Sequence, residues 1–249
     1  MIDPLHPLLE VRGLTKRFGG VEALVDLDFV VRRQEVVALV GDNAAGKSTL
    51  ARALSGVIAP DSGTILFESR PIELASPIEA LRIGIATVFQ EDALCDNLDV
   101  VSNIFLGREV FAGGLLDEES MERRARDYLD RLGSRIPDLR APLSRLTAGQ
   151  RQCVAVARTL VSNPKLVILD EPTASMSIAQ TAEVLVHVER LRELGIGVVY
   201  ISHNLTDVTA IADRVEVLRH GRNNGSFVAP DISTEPIIAA ITGASRIAL

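Results

Sequence analysis

The sequence predicts an α/β fold with a helical subdomain inserted into it, and three observations carry this prediction. Short apolar blocks, such as EVVALV (35–40), LVILD (166–170) and GVVYIS (197–202), are typical of parallel strands that are buried on both faces. Segments with apolar residues at helical spacing alternate with these blocks. From about 91 to 162 the pattern is helical throughout, which indicates helices spliced into an otherwise alternating α/β chain.

The first ninety residues predict strands, two helices and a turn. Within 8–41, DLDFVVRR (26–33) alternates like a half-exposed strand, and EVVALVG (35–41) has the pattern of a buried one. A short helix is expected to open at Ser76, because Pro77 then takes the first helical position, which proline favours. The other elements expected here are the helix STLARALSG (48–56), the turn PDSG (60–63) and the strands TILFES (64–69) and IATVFQ (85–90).

The helical insert and the C-terminal part follow the same logic. Two helices are expected in the insert, and the spacing of their apolar residues places these on one face of each helix. The residues are Met121, Ala125, Tyr128, Leu129 and Leu132 in the first helix, and Cys153, Val156, Ala157, Leu160 and Val161 in the second. After Asn163-Pro164 the strand pattern returns. The elements expected there are LVILD, a helix over about 177–194, the strand VVYISH (198–203), a helix over about 204–212, the strand RVEVLRHG (214–221), and a short helix with a tail.

This order divides a single domain, 1–249, into three parts. Segments 1–90 and 163–230 form a core with an N-terminal antiparallel β-subdomain. Segment 91–162 is the inserted helical subdomain, and 231–249 is a C-terminal helix and tail.

Composition limits the partners. A net charge of −7 argues against nucleic acid as the main partner, because binding its phosphates needs a basic surface. Hydrophobic residues make up 47%, yet no apolar run nears the ~18 residues of a membrane-spanning helix. The N-terminus has neither the basic region nor the apolar core of a signal peptide. Cys95 and Cys153 are expected to be reduced packing residues of a cytosolic protein. Because no apolar run is long enough to span a membrane, any membrane association should come through a partner.

Residues 41–48, GDNAAGKS, satisfy the phosphate-binding pattern G-x-x-x-x-G-K-[ST] between a buried strand and a helix. Backbone N–H groups and the helix N-terminus would contact the phosphates. Lys47 would reach the β- and γ-phosphates, and the Ser48 hydroxyl would bind Mg²⁺. The alternative is a glycine-rich turn before a helix, but the strand and helix around the pattern favour nucleotide binding.

A second pair of residues supports this site. The apolar strand LVILD ends in Asp170, with Glu171 next. An aspartate at such a strand end can hold Mg²⁺, and Glu171 can act as general base towards an attacking water. Alone, the pair would be better interpreted as two solvated acids that end a strand; beside the phosphate-binding loop, the metal and base roles are favoured.

Together these motifs resemble those of the ATP-binding cassette (ABC) ATPases of transporters. LTAGQRQ (146–152) is similar to the family signature LSGGQ. Gln90 matches the family's glutamine that joins the core to the insert. His203 matches the switch histidine, and Phe18 matches the aromatic residue that stacks on adenine. The resemblance implies a P-loop NTPase (RecA-like) core and a dimer that encloses two ATP molecules between the P-loop of one cassette and the signature of the other.

The resemblance also assigns roles to the matching residues. The catalytic residues would be Glu171, His203, Gln90 and Lys47, and the ligands of Mg²⁺ would be Ser48, Gln90 and Asp170. The residues expected to bind ATP are Phe18, Gly41, Asp42, Asn43, Ala44, Ala45, Gly46, Lys47, Ser48 and Thr49, with Thr147, Ala148, Gly149 and Gln150 of the signature.

Three positions depart from the family pattern. Ala44 and Ala148 each replace a glycine, and Ser177 stands where an aspartate that contributes to dimer contacts is common. The backbone N–H groups survive both alanines, but a positive φ at Ala44 would cost ~1 kcal/mol or somewhat more. We expect an active ATPase; the alternative is a regulatory cassette with weak hydrolysis, paired with a paralogue.

The closest likeness is to sugar importers of the ribose, xylose and fructose type. It implies an ATPase on the inner face of the membrane that drives carbohydrate uptake through separate permease subunits, with a second cassette and, indirectly, a solute-binding protein. The permease would dock on a groove between core and insert, near 91–109. Another small solute remains an alternative.

Overall fold

The computed structural model describes residues 6–89 and 94–244. A six-stranded sheet forms the centre, in the order β12-β11-β3-β10-β9-β6, and all its strands are parallel except β12, which is antiparallel to β11. These strands are β3 (Val36–Gly41), β6 (Ile85–Val88), β9 (Leu166–Asp170), β10 (Gly197–Ile201), β11 (Arg214–Arg219) and β12 (Arg222–Val228). The predicted buried strands are therefore neighbours, and every residue of β3, β9 and β10 is buried.

A four-stranded antiparallel sheet, in the order β2-β1-β4-β5, covers one side of this core. Its strands are β1 (Leu9–Phe18), β2 (Val21–Val31), β4 (Ser62–Phe67) and β5 (Arg70–Ile72). This is the N-terminal β-subdomain that the sequence predicts. Leu14, Leu24 and Leu27 are fully buried between it and the central sheet.

Eight helices surround the sheets within the described residues. They are α1 (Lys47–Leu54), α2 (Pro77–Ile83), α3 (Val100–Phe105), α4 (Glu118–Arg131), α5 (Ala148–Leu160), α6 (Ile178–Glu193), α7 (Leu205–Ile211) and α8 (Thr234–Thr242). The Ser76 side chain caps α2, and Pro77 takes its first position, as predicted. None of these helices is long and apolar enough to cross a membrane.

The helical subdomain packs α3, α4 and α5 around the predicted apolar faces. Met121, Ala125, Tyr128, Leu129 and Leu132 are buried, as are four of the five predicted residues of α5; only Val161, which ends that helix, is half-buried. Three features differ from the expectation, and the first is the three-residue strand β5, which the sequence analysis did not include. A short hairpin of β7 (Phe111–Ala112) and β8 (Leu115–Leu116) interrupts the helical insert, and β12 continues the central sheet after β11. Two-residue strands are too short to show a period, and RNNGSFV carries too few apolar residues to predict a strand.

Candidate functional site

The candidate residues lie at the carboxyl ends of neighbouring strands. The phosphate-binding loop follows β3, His203 follows β10, Asp170 ends β9, and Glu171 is the next residue. Because these strands are parallel and adjacent, their carboxyl ends meet at one edge of the sheet, where α/β proteins bind ligands. Gln90 follows β6 in sequence but lies outside the described residues.

The phosphate-binding loop depends on glycine at both ends. A Cβ at Gly41 would lie 2.3 Å from the carbonyl oxygen of Leu218, and one at Gly46 would lie 2.7 Å from that of Ala23. Gly46 also has a φ of +108° and is the N-cap of α1. Larger residues would push the loop away from β2 and β11, so these positions need glycine for space as well as conformation.

Lys47 lies with its ammonium group inside the loop. Its Nζ donates hydrogen bonds to the carbonyl oxygens of Gly41 at 2.8 Å and Asp42 at 3.0 Å. Burial lowers the pKa of Lys47, and the charges of Glu171, Asp170 and Asp42 oppose that shift. The loop thus holds a partly desolvated cation where the pattern predicts a phosphate contact.

Ala44 takes a positive φ of +61°. Glycine adopts this left-handed conformation without strain, whereas an L-residue with a Cβ such as alanine does not. Asn43, Ala45 and Thr49 lie in the same loop and in the first turn of α1.

Asp170 and Ser48 suit a hard divalent cation. Asp170 Oδ1 is buried with no hydrogen-bond partner. Burial raises the pKa of Asp170, and the nearby Ser48 side chain acts to lower it. A buried, unpaired carboxylate oxygen beside a hydroxyl matches the oxygen ligands that Mg²⁺ prefers. Within 6–89 and 94–244, no group of three or more His, Cys, Asp or Glu side chains is placed to hold a metal ion.

Glu171 and His203 contact each other directly. His203 Nδ1 lies 2.8 Å from Glu171 Oε2, and the Glu171 N–H donates to the carbonyl oxygen of Ile201 at 2.9 Å. Glu171 has a φ of +52°, and this left-handed turn directly follows β9. The contact gives the proposed general base a fixed neighbour.

A buried network that the sequence did not indicate lies behind this pair. Asp207 accepts hydrogen bonds from the Thr173 hydroxyl at 2.8 Å and from Asn204 Nδ2 at 2.9 Å, and the Tyr200 hydroxyl lies 3.1 Å from that of Thr173. Thr173 follows Glu171 by two residues, and Asn204 directly follows His203. The network therefore joins the two loops that carry Glu171 and His203. Its only signal in the sequence is polar residues near strand ends.

Phe18 ends β1, and its side chain is half-exposed. It pairs with Val21 across the β1–β2 turn, and Ala23 of β2 lies against Gly46 of the phosphate-binding loop. Lys16 Nζ lies 5.5 Å from the centre of the Phe18 ring. An exposed aromatic ring is available for stacking.

The signature residues form the start of α5. Thr147 and Gln150 make a reciprocal capping box, Ala148 is exposed, and Gly149 is buried against Glu183 and Gln180 of α6. The Thr147 hydroxyl accepts the Gln150 N–H at 3.2 Å. The first N–H groups of a thirteen-residue helix are thus presented at this end, away from the buried side of Gly149.

Ser177 is the N-cap of α6 and makes a second capping box, with Gln180. Serine is as good an N-cap as aspartate, so the helix start tolerates the departure from the family pattern.

Comparisons with known proteins identify the family. Residues 24–174 match the family described as ABC transporter. The chain is 45% identical over 241 residues to a ribose import ATP-binding protein of Rubrobacter xylanophilus, covering 97% of this chain but 48% of that protein. It is 41% identical to the fructose import ATP-binding protein FrcA of Rhizobium meliloti, covering 97% of this chain and 96% of that protein.

The fold is also that of a solved cassette. The crystal structure of a nucleotide-free ATP-binding cassette from an ABC transporter matches with a TM-score of 0.80 and 25% identity, over 96% of each chain. Several curated relatives are about twice as long as this chain, which spans roughly half of them. The matched family and the full-length relative together decide the assignment: this chain belongs to the ABC transporter family, as an ATP-binding cassette.

Proposed function

We propose that this chain is the ATP-hydrolysing subunit of an importer that takes up a carbohydrate through separate permease subunits. The observation that carries the proposal is the Glu171–His203 contact of 2.8 Å at the sheet edge that also holds Lys47 and Asp170. A general base, a phosphate-binding cation and a metal-binding carboxylate in one place are the parts that phosphoryl transfer to water needs.

Each part has a separate task. The N–H groups of 41–49 and the start of α1 would bind the β- and γ-phosphates, and Lys47 would exchange its carbonyl contacts for phosphate oxygens. The Glu171 carboxylate would accept a proton from the attacking water, while His203 orients that carboxylate. Ser48 and Asp170 would hold Mg²⁺, which neutralises charge on the phosphates.

The helix start at Thr147, Ala148 and Gly149 supports a second cassette as partner. The capping box takes up the N–H groups of Thr147 and Gln150, so those of Ala148 and Gly149 would bind an anion, while the buried side of this helix start packs on α6 of its own chain. We infer that it meets the γ-phosphate held by another copy or by a paralogue. Closing and reopening of this dimer would then drive the permease.

Carbohydrate is proposed as the solute because relatives over nearly the whole chain are named for the import of ribose, fructose and xylose or arabinose. A solute-binding protein and a location at the inner face of the membrane belong to the same proposal.

Light scattering on the Glu171→Gln variant tests the proposal. We expect dimers with MgATP that disappear on the further change Lys47→Ala, and steady ATP turnover by the wild type that Glu171→Gln abolishes. Nucleotide binding without turnover by the wild type would instead indicate the regulatory cassette.

A further inference from the structure

Phe18 lies at the end of a strand that extends beyond one of its two neighbours. On one side β1 pairs with β2 as far as Phe18, which lies opposite Val21. On the other side β4 begins only at Ser62, which pairs with Thr15. A strand end with a neighbour on one side only has fewer backbone hydrogen bonds to hold it. The position of the Phe18 ring therefore depends on other contacts.

Asp61, in the turn just before β4, provides these contacts. Its N–H donates to the carbonyl oxygen of Thr15 at 2.9 Å. Its carboxylate accepts a hydrogen bond from Lys16 Nζ at 2.9 Å and another from the backbone N–H of Arg17 at 2.7 Å. The hydrogen bond from Lys16 and then that from Arg17 lower the pKa of Asp61, so the carboxylate is charged at neutral pH. One residue thus holds the three that directly precede Phe18.

Lys16 extends this support to the aromatic ring. Residues two apart in a strand lie on the same face, so Lys16 and Phe18 are neighbours on β1. Lys16 Nζ lies over the Phe18 ring, 5.5 Å from its centre, which is within the distance at which an ammonium is attracted to an aromatic face. The Lys16 side chain is only 16% exposed, whereas Phe18 is half-exposed. The ammonium therefore contacts the ring and leaves much of it open to a ligand.

We propose that Lys16 and Asp61 are positioning residues for the nucleotide, because together they hold the Phe18 ring in the orientation that stacks on adenine. This inference rests on the proposed function and on the adenine contact expected of Phe18. A flexible side chain loses conformational freedom when it binds a ligand, and a ring that is already held avoids most of that cost. The Lys16 ammonium is paired with Asp61, so it acts through the ring and not as a phosphate ligand.

Calorimetric titration with MgADP and MgUDP tests the inference. Neither nucleotide has a γ-phosphate to hydrolyse, and the two differ only in the base, of which adenine has the larger stacking surface. Phe18→Ala should weaken MgADP binding roughly ten-fold. Lys16→Ala and Asp61→Ala should each weaken it roughly three- to ten-fold, because the ring loses its support. Binding of MgUDP should weaken less than about two-fold in these variants.

Two further variants serve as controls. Lys16→Arg keeps a cation over the ring and a partner for Asp61, so it should bind both nucleotides as the wild type does. Arg12→Ala removes a different ion pair of β1, the one that Arg12 makes with Glu10 at 2.7 Å, and should change neither affinity. A loss of MgADP affinity in Arg12→Ala equal to that in Lys16→Ala would show a general effect on β1 and would overturn the inference.

A double-mutant cycle tests whether Lys16 acts through the ring. In the Phe18→Ala background, Lys16→Ala should cause no further loss of MgADP affinity, because the ring that Lys16 positions is absent. Additive losses would mean that Lys16 acts apart from Phe18 and would overturn the inference. Equal losses for MgADP and MgUDP would also overturn it, since they would place the effect of Lys16 on the phosphates or on folding and not on the base.

These outcomes separate the inference from the proposed function. If the wild type neither binds MgADP nor turns over ATP, the proposed function fails. If Phe18→Ala binds MgADP as well as the wild type does, the adenine contact of Phe18 fails and the inference fails with it. If Phe18→Ala weakens binding while Lys16→Ala and Asp61→Ala do not, only the inference fails.

Discussion

Ala44 has a left-handed backbone conformation, with a φ of +61°, in the middle of the phosphate-binding loop. An L-residue with a Cβ costs about 1–2 kcal/mol there, and glycine avoids this. Its neighbour Ala45 is buried and is not among the residues with positive φ. The two alanines are adjacent and chemically identical, so a comparison of the same substitution at each position separates the effect of backbone strain from that of side-chain packing.

We predict that Ala44→Gly raises the free energy of unfolding by about 1 kcal/mol. Ala45→Gly should lower it by about 1 kcal/mol, because it removes a buried methyl group and adds backbone freedom to the unfolded chain. Chemical denaturation of both variants measures the two changes. Destabilisation by Ala44→Gly would mean that the loop relaxes the strain in solution.

Asp170 gives a second prediction, which depends on pH. Its Oδ1 is buried and unpaired, and burial raises its pKa above the value in the unfolded chain. At pH 7 Asp170→Asn should therefore stabilise the isolated cassette by about 1 kcal/mol while it abolishes Mg²⁺-dependent hydrolysis.

The sign of the pH effect follows from proton binding. Folded Asp170 takes up a proton at a higher pH than the unfolded residue, so acidification neutralises the buried carboxylate of the wild type. The gain from Asp170→Asn should shrink as the pH falls through the raised pKa of Asp170. Denaturation at several pH values checks this. A gain that grows on acidification would contradict the assignment of an unpaired, buried charge.

At the scale of elements, the loops after β9 and β10 act as one unit because Asp207 of α7 binds both. It accepts from Thr173 at 2.8 Å and from Asn204 at 2.9 Å, and the three residues Thr173, Tyr200 and Asp207 are buried. The positions of Glu171 and His203 therefore depend on a helix that neither residue belongs to.

Asp207→Ala leaves the Thr173 and Tyr200 hydroxyls without this acceptor, so we expect it to destabilise the cassette by about 2 kcal/mol. It should also lower kcat roughly ten-fold, because Glu171 and His203 lose their fixed geometry. ATP-dependent dimers in the Glu171→Gln background should persist, since the phosphate-binding loop is untouched. Asp207→Asn, which keeps one acceptor oxygen, should lose less stability and less activity than Asp207→Ala. An unchanged kcat in a destabilised Asp207→Ala variant would show that the network only supports folding.

For the molecule as a whole, sequence patterns predicted the structural elements that depend on local periodicity. The buried strands, the capped α2 and the apolar faces of α4 and α5 all follow from residues close together in the chain. The strand order, and with it the meeting of Asp170, Glu171 and His203 near Lys47, depends on pairing between distant segments. The Asp207 network could not be predicted, because Thr173 lies 27 positions before Tyr200 and 34 before Asp207, and only the fold brings these residues together.

The proposed dimer of two cassettes can be tested only with the whole molecule and its partner. Ala148 is exposed at the first position of α5, where a negative charge favours the helix. Ala148→Asp should therefore fold normally, yet it would place a carboxylate where a second cassette presents its γ-phosphate. We predict that Ala148→Asp and Lys47→Ala are each inactive, whereas Ala148→Asn, which has the same size without the charge, keeps activity.

Mixing the two inactive variants then tests whether each site is built from two chains. A mixed dimer pairs the intact phosphate-binding loop of Ala148→Asp with the intact signature of Lys47→Ala, which gives one complete site. With random pairing, an equal mixture should recover about a quarter of the wild-type turnover. Turnover by Ala148→Asp alone would show that the signature does not meet the phosphate. No recovery in the mixture, with both variants folded, would show that one complete site is not enough for hydrolysis and that the two sites of the dimer act only together.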